Sequence, residues 1–193
     1  MSEIKGGIGV EVDHIFPVIK KWLYSEKEIF LREIVSNACD AVTKLRRLIS
    51  LGEDGAHDIP DEGFKVSVEL DKAARTITVT DNGIGMTEEE VQKYICQIAL
   101  SGALDFIQKY DGDSGADSGI IGHFGLGFYS AFMVSSKVDV ITRSYSGAPG
   151  VKMTCDDAGS YVIETDYADA PERGTSVVMH ISDEGEEYLD ASA

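Results

Sequence analysis

The chain has 193 residues and a net charge of −17, from 34 acidic and 17 basic side chains. A length of this order buries roughly 70% of the unfolded surface around one core, and a 43% hydrophobic content sets the chain apart from disordered sequences. The acidic balance excludes a broad nucleic-acid-binding face, which needs clustered Lys and Arg; an anionic ligand would have to be held by backbone amides and a divalent cation.

The N-terminal stretch MSEIKGGIGVEVDH is acidic and lacks the apolar run of a signal peptide. No segment approaches the length of a membrane span, so no membrane association is expected. Cys39, Cys96 and Cys155 are widely spaced and odd in number, with no CxxC pair. That excludes a disulfide framework or a zinc ribbon and fits a reducing, cytoplasmic compartment.

The first predicted helix is DHIFPVIKKWLY, 13–24, with Pro17 tolerated in its first turn. Ser25 with Glu28 three residues on forms a capping box for a second helix, running to about Ser50 and stopping near Gly52. Along that helix Glu33, Asn37, Asp40 and Lys44 fall at spacings of 4, 3 and 4, a polar stripe among apolar neighbours. Such a stripe is ordinarily a solvated face. Asn37 is a mediocre mid-helix residue, and Glu33 with Asn37 one turn away suits a metal-bound phosphate: an amide oxygen for the ion, a carboxylate to orient water.

Beyond a polar loop the period changes to two. FKVSVEL, 64–70, and RTITVT, 75–80, predict an antiparallel hairpin. DNGIGM, Asp81–Met86, ends the second strand in a turn; Asp81 could accept from a ligand amine, Gly85 admit a flat ring and Met86 pack on it. Thr87 with Glu90 caps another helix. Residues 97–121 are loose and Gly-, Ser- and Asp-rich. They lead into IGHFGLGFYSAFMVS, in which Gly122, Gly125 and Gly127 precede an apolar helix expected from Phe128. This is either a tight turn or a phosphate cradle of backbone N–H groups; it is neither a Walker A loop nor a dinucleotide fingerprint. The strands KVDVITRS, GVKMTC, SYVIETD and TSVVMHI follow, and the acidic tail is expected to end without a further element. Helices followed by strands predict an α+β two-layer sandwich, a largely antiparallel sheet with helices on one face.

YSEKEIFLREIVSNACDA, DNGIGMT, IGHFGLGFYSAFMVSSKV and RGTSVV occur in this order. With these stretches the chain resembles the N-terminal ATP-binding domain of bacterial-type ninety-kilodalton heat-shock chaperones, from about Val10 to Tyr188. The Glu-xxx-Asn-xx-Asp-Ala pattern alone is shared with gyrases, sensor kinases and mismatch-repair ATPases. The resemblance implies a Bergerat-type fold, a single domain over 1–193 with a lid at about 97–127, and middle and C-terminal domains lying outside this chain. It implies a Mg-dependent ATPase, weak as an isolated domain, with ATP/ADP and Mg²⁺ as cofactors. Glu33 would be the catalytic base and Asn37 the Mg²⁺ ligand. Asp81 would bond the adenine amino group, with Thr175 joining through water. Gly125, Leu126, Gly127 and Phe128 would offer N–H groups to the phosphates, and Asp40, Ala41, Lys44, Gly85, Met86 and Gly122 would line the pocket. Client proteins, a homodimer in the full-length protein and ansamycin- or resorcinol-type inhibitors are the implied partners. The open alternatives are a nucleotide-sensing interaction module without turnover, or another ATPase of the wider superfamily. The chain departs from the family where Tyr94, Cys96-Gln97, Leu100, Ala103 and His123 replace the usual Asn, Gly-Thr, Lys, Thr and Gln. Cys39 reads as a small packing residue.

Overall fold

The computed structural model describes residues 29–96 and 127–190; the expected helix at 13–24, the Ser25–Glu28 capping box and the segment 97–126 lie outside them. Helix α1 spans Ile29–Leu51. Phe30, Ile34, Ala38, Leu45 and Leu48 form its buried stripe, the spacing that an amphipathic helix requires. It ends at Gly52, whose φ of +68° suits glycine; its N–H returns to the Ile49 carbonyl at 3.0 Å.

Six strands follow: β1 Val66–Asp71, β2 Thr76–Asp81, β3 Ser135–Arg143, β4 Val151–Asp156, β5 Tyr161–Thr165 and β6 Gly174–Ile181. They form one sheet in the order β1-β2-β6-β3-β4-β5, with every pairing antiparallel. β1 starts two residues later than the sequence pattern suggests. Phe64 packs instead against the cluster of Leu45, Leu48 and Ala56, and the Lys65 N–H donates to Asn82 Oδ1 at 2.7 Å.

Alternation along the strands sets one face against the helices. Ile77, Val79, Val138, Val140, Val151, Met153, Met179 and Ile181 point inward and join Phe30, Ile34 and Ala38 in the main core. Burying each of the larger side chains contributes roughly 1.5–3 kcal/mol. Helix α2, Glu88–Tyr94, has the expected capping box: the Glu90 N–H donates to Thr87 Oγ1 and the Thr87 N–H to Glu90 Oε2.

Two expectations are corrected. The helix expected from Phe128 is a 3-10 run, Gly127–Met133. Ser130 Oγ donates to the Gly127 carbonyl at 2.6 Å and Ser135 Oγ to the Ala131 carbonyl at 2.5 Å. Those hydroxyls take carbonyls that an α-helix would give to amides four residues on, and β3 begins at once. The tail is not free of structure either: Asp183–Leu189 forms a second 3-10 turn. Arg75 ties it down through Asp183 and Glu186 at 3.1 and 3.3 Å, Leu189 is buried, and the Tyr188 ring meets Phe30 edge-on at 5.2 Å. Among the described residues no helix is long and apolar enough to cross a membrane.

Candidate functional site

The polar stripe of α1 is not a uniformly solvated face. Asp40 is buried. Burial pushes the Lys44 ammonium below its ordinary range, opposed first by the charge of Asp40 and then by Glu90 of α2. Glu33 is half-buried and Asn37 exposed. These two side chains meet the start of the 3-10 run. A Cβ added to Gly127 would stand 2.9 Å from Asn37 Nδ2 and 3.4 Å from Glu33 Oε2. A side chain there would push the exposed Asn37 carboxamide aside and only touch Glu33, so the glycine keeps this backbone directly against the pair.

One turn further along α1, the Asp81–Met86 turn docks. The Ile84 N–H donates to the Ala41 carbonyl at 3.0 Å. Gly83 lies so close that a Cβ there would meet the Ala41–Val42 peptide at 2.5–2.7 Å. Gly85, at φ +62°, passes against the Arg143 carbonyl with no room for a side chain. The turn is therefore clamped between α1 and the end of β3, and this clamp brings Asp81 beside the stripe.

Asp81 ends β2 on the inward face, continuing the Ile77, Val79 alternation, and is 5% exposed. Its Oδ1 accepts from the Gly83 N–H at 2.8 Å, and Thr175 is its register partner on β6. Burial pushes the Asp81 carboxyl up to about 7, against hydrogen bonds from the backbone of Gly83 and Thr175 that pull it down. Next to it, Thr142 Oγ1 of β3 donates to the Gly174 carbonyl at 3.0 Å, accepts from the Met86 N–H at 3.0 Å and lies 2.9 Å from Thr175 Oγ1. Gly174, at φ +100°, packs on the Asp81 carbonyl. Asp81, Gly85, Met86 and Thr175 thus form one cluster at the end of the sheet, and Glu33 and Asn37 of α1 with Gly127 a second, Asp40 and Ala41 lying on α1 between the two.

The Asp81 shift carries a stability prediction. An acid whose folded pKa is raised keeps its proton in the native state when the unfolded chain has lost it. Native stability therefore falls as pH rises from the ordinary 3.8 to about 7. Asp81→Asn is expected to remove this decline and to leave the ligand-free variant more stable than the parent at pH 8, by up to about 4 kcal/mol. Urea unfolding of both proteins from pH 4 to 8 measures it; parallel pH profiles would refute the assignment.

The Phe128 ring is core, edge-on to Tyr129 and Phe132 at 5.4 and 5.9 Å, so only its backbone is left for a ligand. Gly122, Gly125 and Leu126 lie outside the described residues, as do Gln97, Leu100, Ala103 and His123. Tyr94 is engaged by its neighbour: Lys93 Nζ donates to its hydroxyl at 3.2 Å and stands over its ring at 4.8 Å. Thr142 escaped the sequence reading, although a hydroxyl on the inward face after Val138 and Val140 was a signal available there.

The donors fit the implied groups. The Asn37 carboxamide would offer a hard oxygen to a Mg²⁺, and the Glu33 carboxylate one turn away would be left to orient water. A buried carboxylate with a lone pair to spare, beside the turn that ends β2, fits the amino edge of a flat heterocycle.

Comparison with known proteins gives a consistent result. The family described as histidine kinase-, DNA gyrase B- and HSP90-like ATPase matches residues 24–183. The chain is 58% identical over 186 residues to chaperone protein HtpG of Porphyromonas gingivalis strain W83, covering 96% of this chain and 26% of the relative. It is 51% identical over 189 residues to the Bacteroides fragilis 638R protein of that name, 97% of this chain and 26% of the relative. For the Methylococcus capsulatus protein the figures are 46% over 187 residues, 95% and 29%. The chain spans about a quarter of the length of these relatives.

Proposed function

Since the chain belongs to the histidine kinase-, DNA gyrase B- and HSP90-like ATPase family, we propose that it binds ATP with Mg²⁺ and hydrolyses it in the service of a chaperone. The observation that carries this reading is Gly127, whose backbone is seated against the carboxamide of Asn37 and the carboxylate of Glu33. One glycine of the sequence stretch suited to phosphate and a pair suited to hydrolysis meet there.

In this reading the adenine amino group donates to Asp81, whose Oδ1 is already fixed by Gly83, and Thr175 stands beside it. Met86 faces the ring, and Gly85 holds the turn that carries it against the end of β3. Asn37 would hold the Mg²⁺, which would supply the charge neutralisation that in-line phosphoryl transfer requires. Gly125, Leu126, Gly127 and Phe128 give backbone N–H groups to the phosphates, with Gly122, Asp40, Ala41 and Lys44 lining the cleft. Glu33 orients the attacking water and accepts its proton. Positioning and electrostatics do most of what this chemistry needs.

The larger cycle follows from the resemblance to HtpG chaperones: closure of residues 97–127 over the nucleotide, clamping of two full-length copies, action on client proteins in the cytoplasm, and inhibitor binding in the same pocket. The isolated domain is expected to turn over slowly. Calorimetric titration with ADP in Mg²⁺ and again in EDTA tests the core of the proposal. Binding that weakens without the metal supports it, and absence of heat in both buffers would sink it.

A further inference from the structure

Away from the cleft, three sulfurs gather where the end of α2 meets the sheet. The Cys96 thiol lies two residues beyond α2 and donates to Met153 Sδ at 3.6 Å. Met153 is on the inward face of β4, and Cys155, two residues on, shares that face; both are buried. The Tyr161 side chain lies beside Cys96, and Tyr161 is the register partner of Cys155 on β5. The contact with Met153 sets the Cys96 sulfur on the inward face of β4, the face that Cys155 shares. The Tyr129 hydroxyl donates to the Ile95 carbonyl at 2.6 Å and pins the backbone that carries Cys96. Tyr129 stands close enough to both Cys96 and Cys155 that their ionised forms would oppose its own ionisation.

We propose that Cys96, Met153 and Cys155 form a binding site for a soft monovalent metal ion of the copper(I) class. Two thiols and a thioether are the donors that such ions select. Two sulfurs each about 2.3 Å from one ion stand roughly 3.7–4.0 Å apart, so the 3.6 Å contact needs little adjustment. Among the described residues no group of three His, Cys, Asp and Glu could hold a metal, so the thioether is what completes this set and what disfavours harder ions. Cys96 is half-buried and Tyr161 exposed, which gives the ion a way in. Binding is a ligand exchange: one ion enters, the protons of the two thiols leave to solvent, and no oxidation state changes.

Copper(I) supplied as its bicinchoninate complex under reductant tests this. The reduced chain is expected to withdraw one equivalent from the chelator. Affinity should fall at least tenfold in Cys96→Ser and in Met153→Leu. It should be unchanged in Cys39→Ser, which removes an exposed thiol elsewhere. Circular dichroism confirms the fold of each variant, and half-buried Cys96 keeps the test valid if Met153→Leu does not fold. A chelator that keeps its copper, or binding lost with Cys39 instead of Cys96, would overturn the assignment.

Discussion

Glu33→Ala is expected to abolish ATP hydrolysis, by a factor of about 10²–10⁴, while nucleotide affinity stays within about threefold. The prediction rests on where Glu33 stands. Its carboxylate faces the Gly127 backbone next to Asn37, so it can reach water beside a phosphate without holding the phosphate. Alanine is a good helix former, and Glu33 is not part of the buried stripe of α1, so the fold should survive. Turnover should be measured in a chain of the relatives' full length, since this one spans about a quarter of it. Binding can be measured in either. Hydrolysis that persists would remove Glu33 as the base; binding that collapses with it would make the residue a nucleotide ligand.

Asp81→Asn should do the opposite, weakening ADP binding by roughly 2–3 kcal/mol, about 30- to 150-fold. The carboxylate can accept from an amino group through a remaining lone pair while Gly83 holds Oδ1. A carboxamide can keep the Gly83 bond only by turning its own N–H₂ toward that amino group. Because burial pushes the parent carboxyl up to about 7 and a bound amine favours the ionised form, parent affinity should rise with pH through that region. The variant should show no such rise. Calorimetry at pH 6 and 8 measures both effects, and a variant that binds as tightly as the parent at pH 8 would refute the adenine role.

Much of this was legible in sequence because alternation and helical spacing are local. Ile77, Val79, Asp81 puts an acid where a strand should bury an aliphatic, and Glu33 to Lys44 is a stripe on paper before it is one in space. The desolvation of Lys44 was not legible, since it depends on how the elements pack around the side chain, against the opposing charges of Asp40 and Glu90. Nor was the 3-10 geometry of Gly127–Met133, which depends on two serine hydroxyls capturing carbonyls. Apolar content alone cannot separate a 3-10 run from an α-helix.

The three bonds at Thr142 also impose a direction. A hydroxyl has one proton, and here it goes to the Gly174 carbonyl. Its lone pairs receive the Met86 N–H and, by elimination, the proton of Thr175. Thr175 is then left with lone pairs only, beside a carboxylate that likewise only accepts once ionised. The end wall of the cleft becomes a one-way surface: it rewards a partner that brings hydrogens and repels one that brings a carbonyl. A methyl in place of the Thr142 hydroxyl would free Thr175 to turn around, and the pocket would lose its power to tell an amino-substituted ring from an oxo-substituted one without losing a single direct ligand contact.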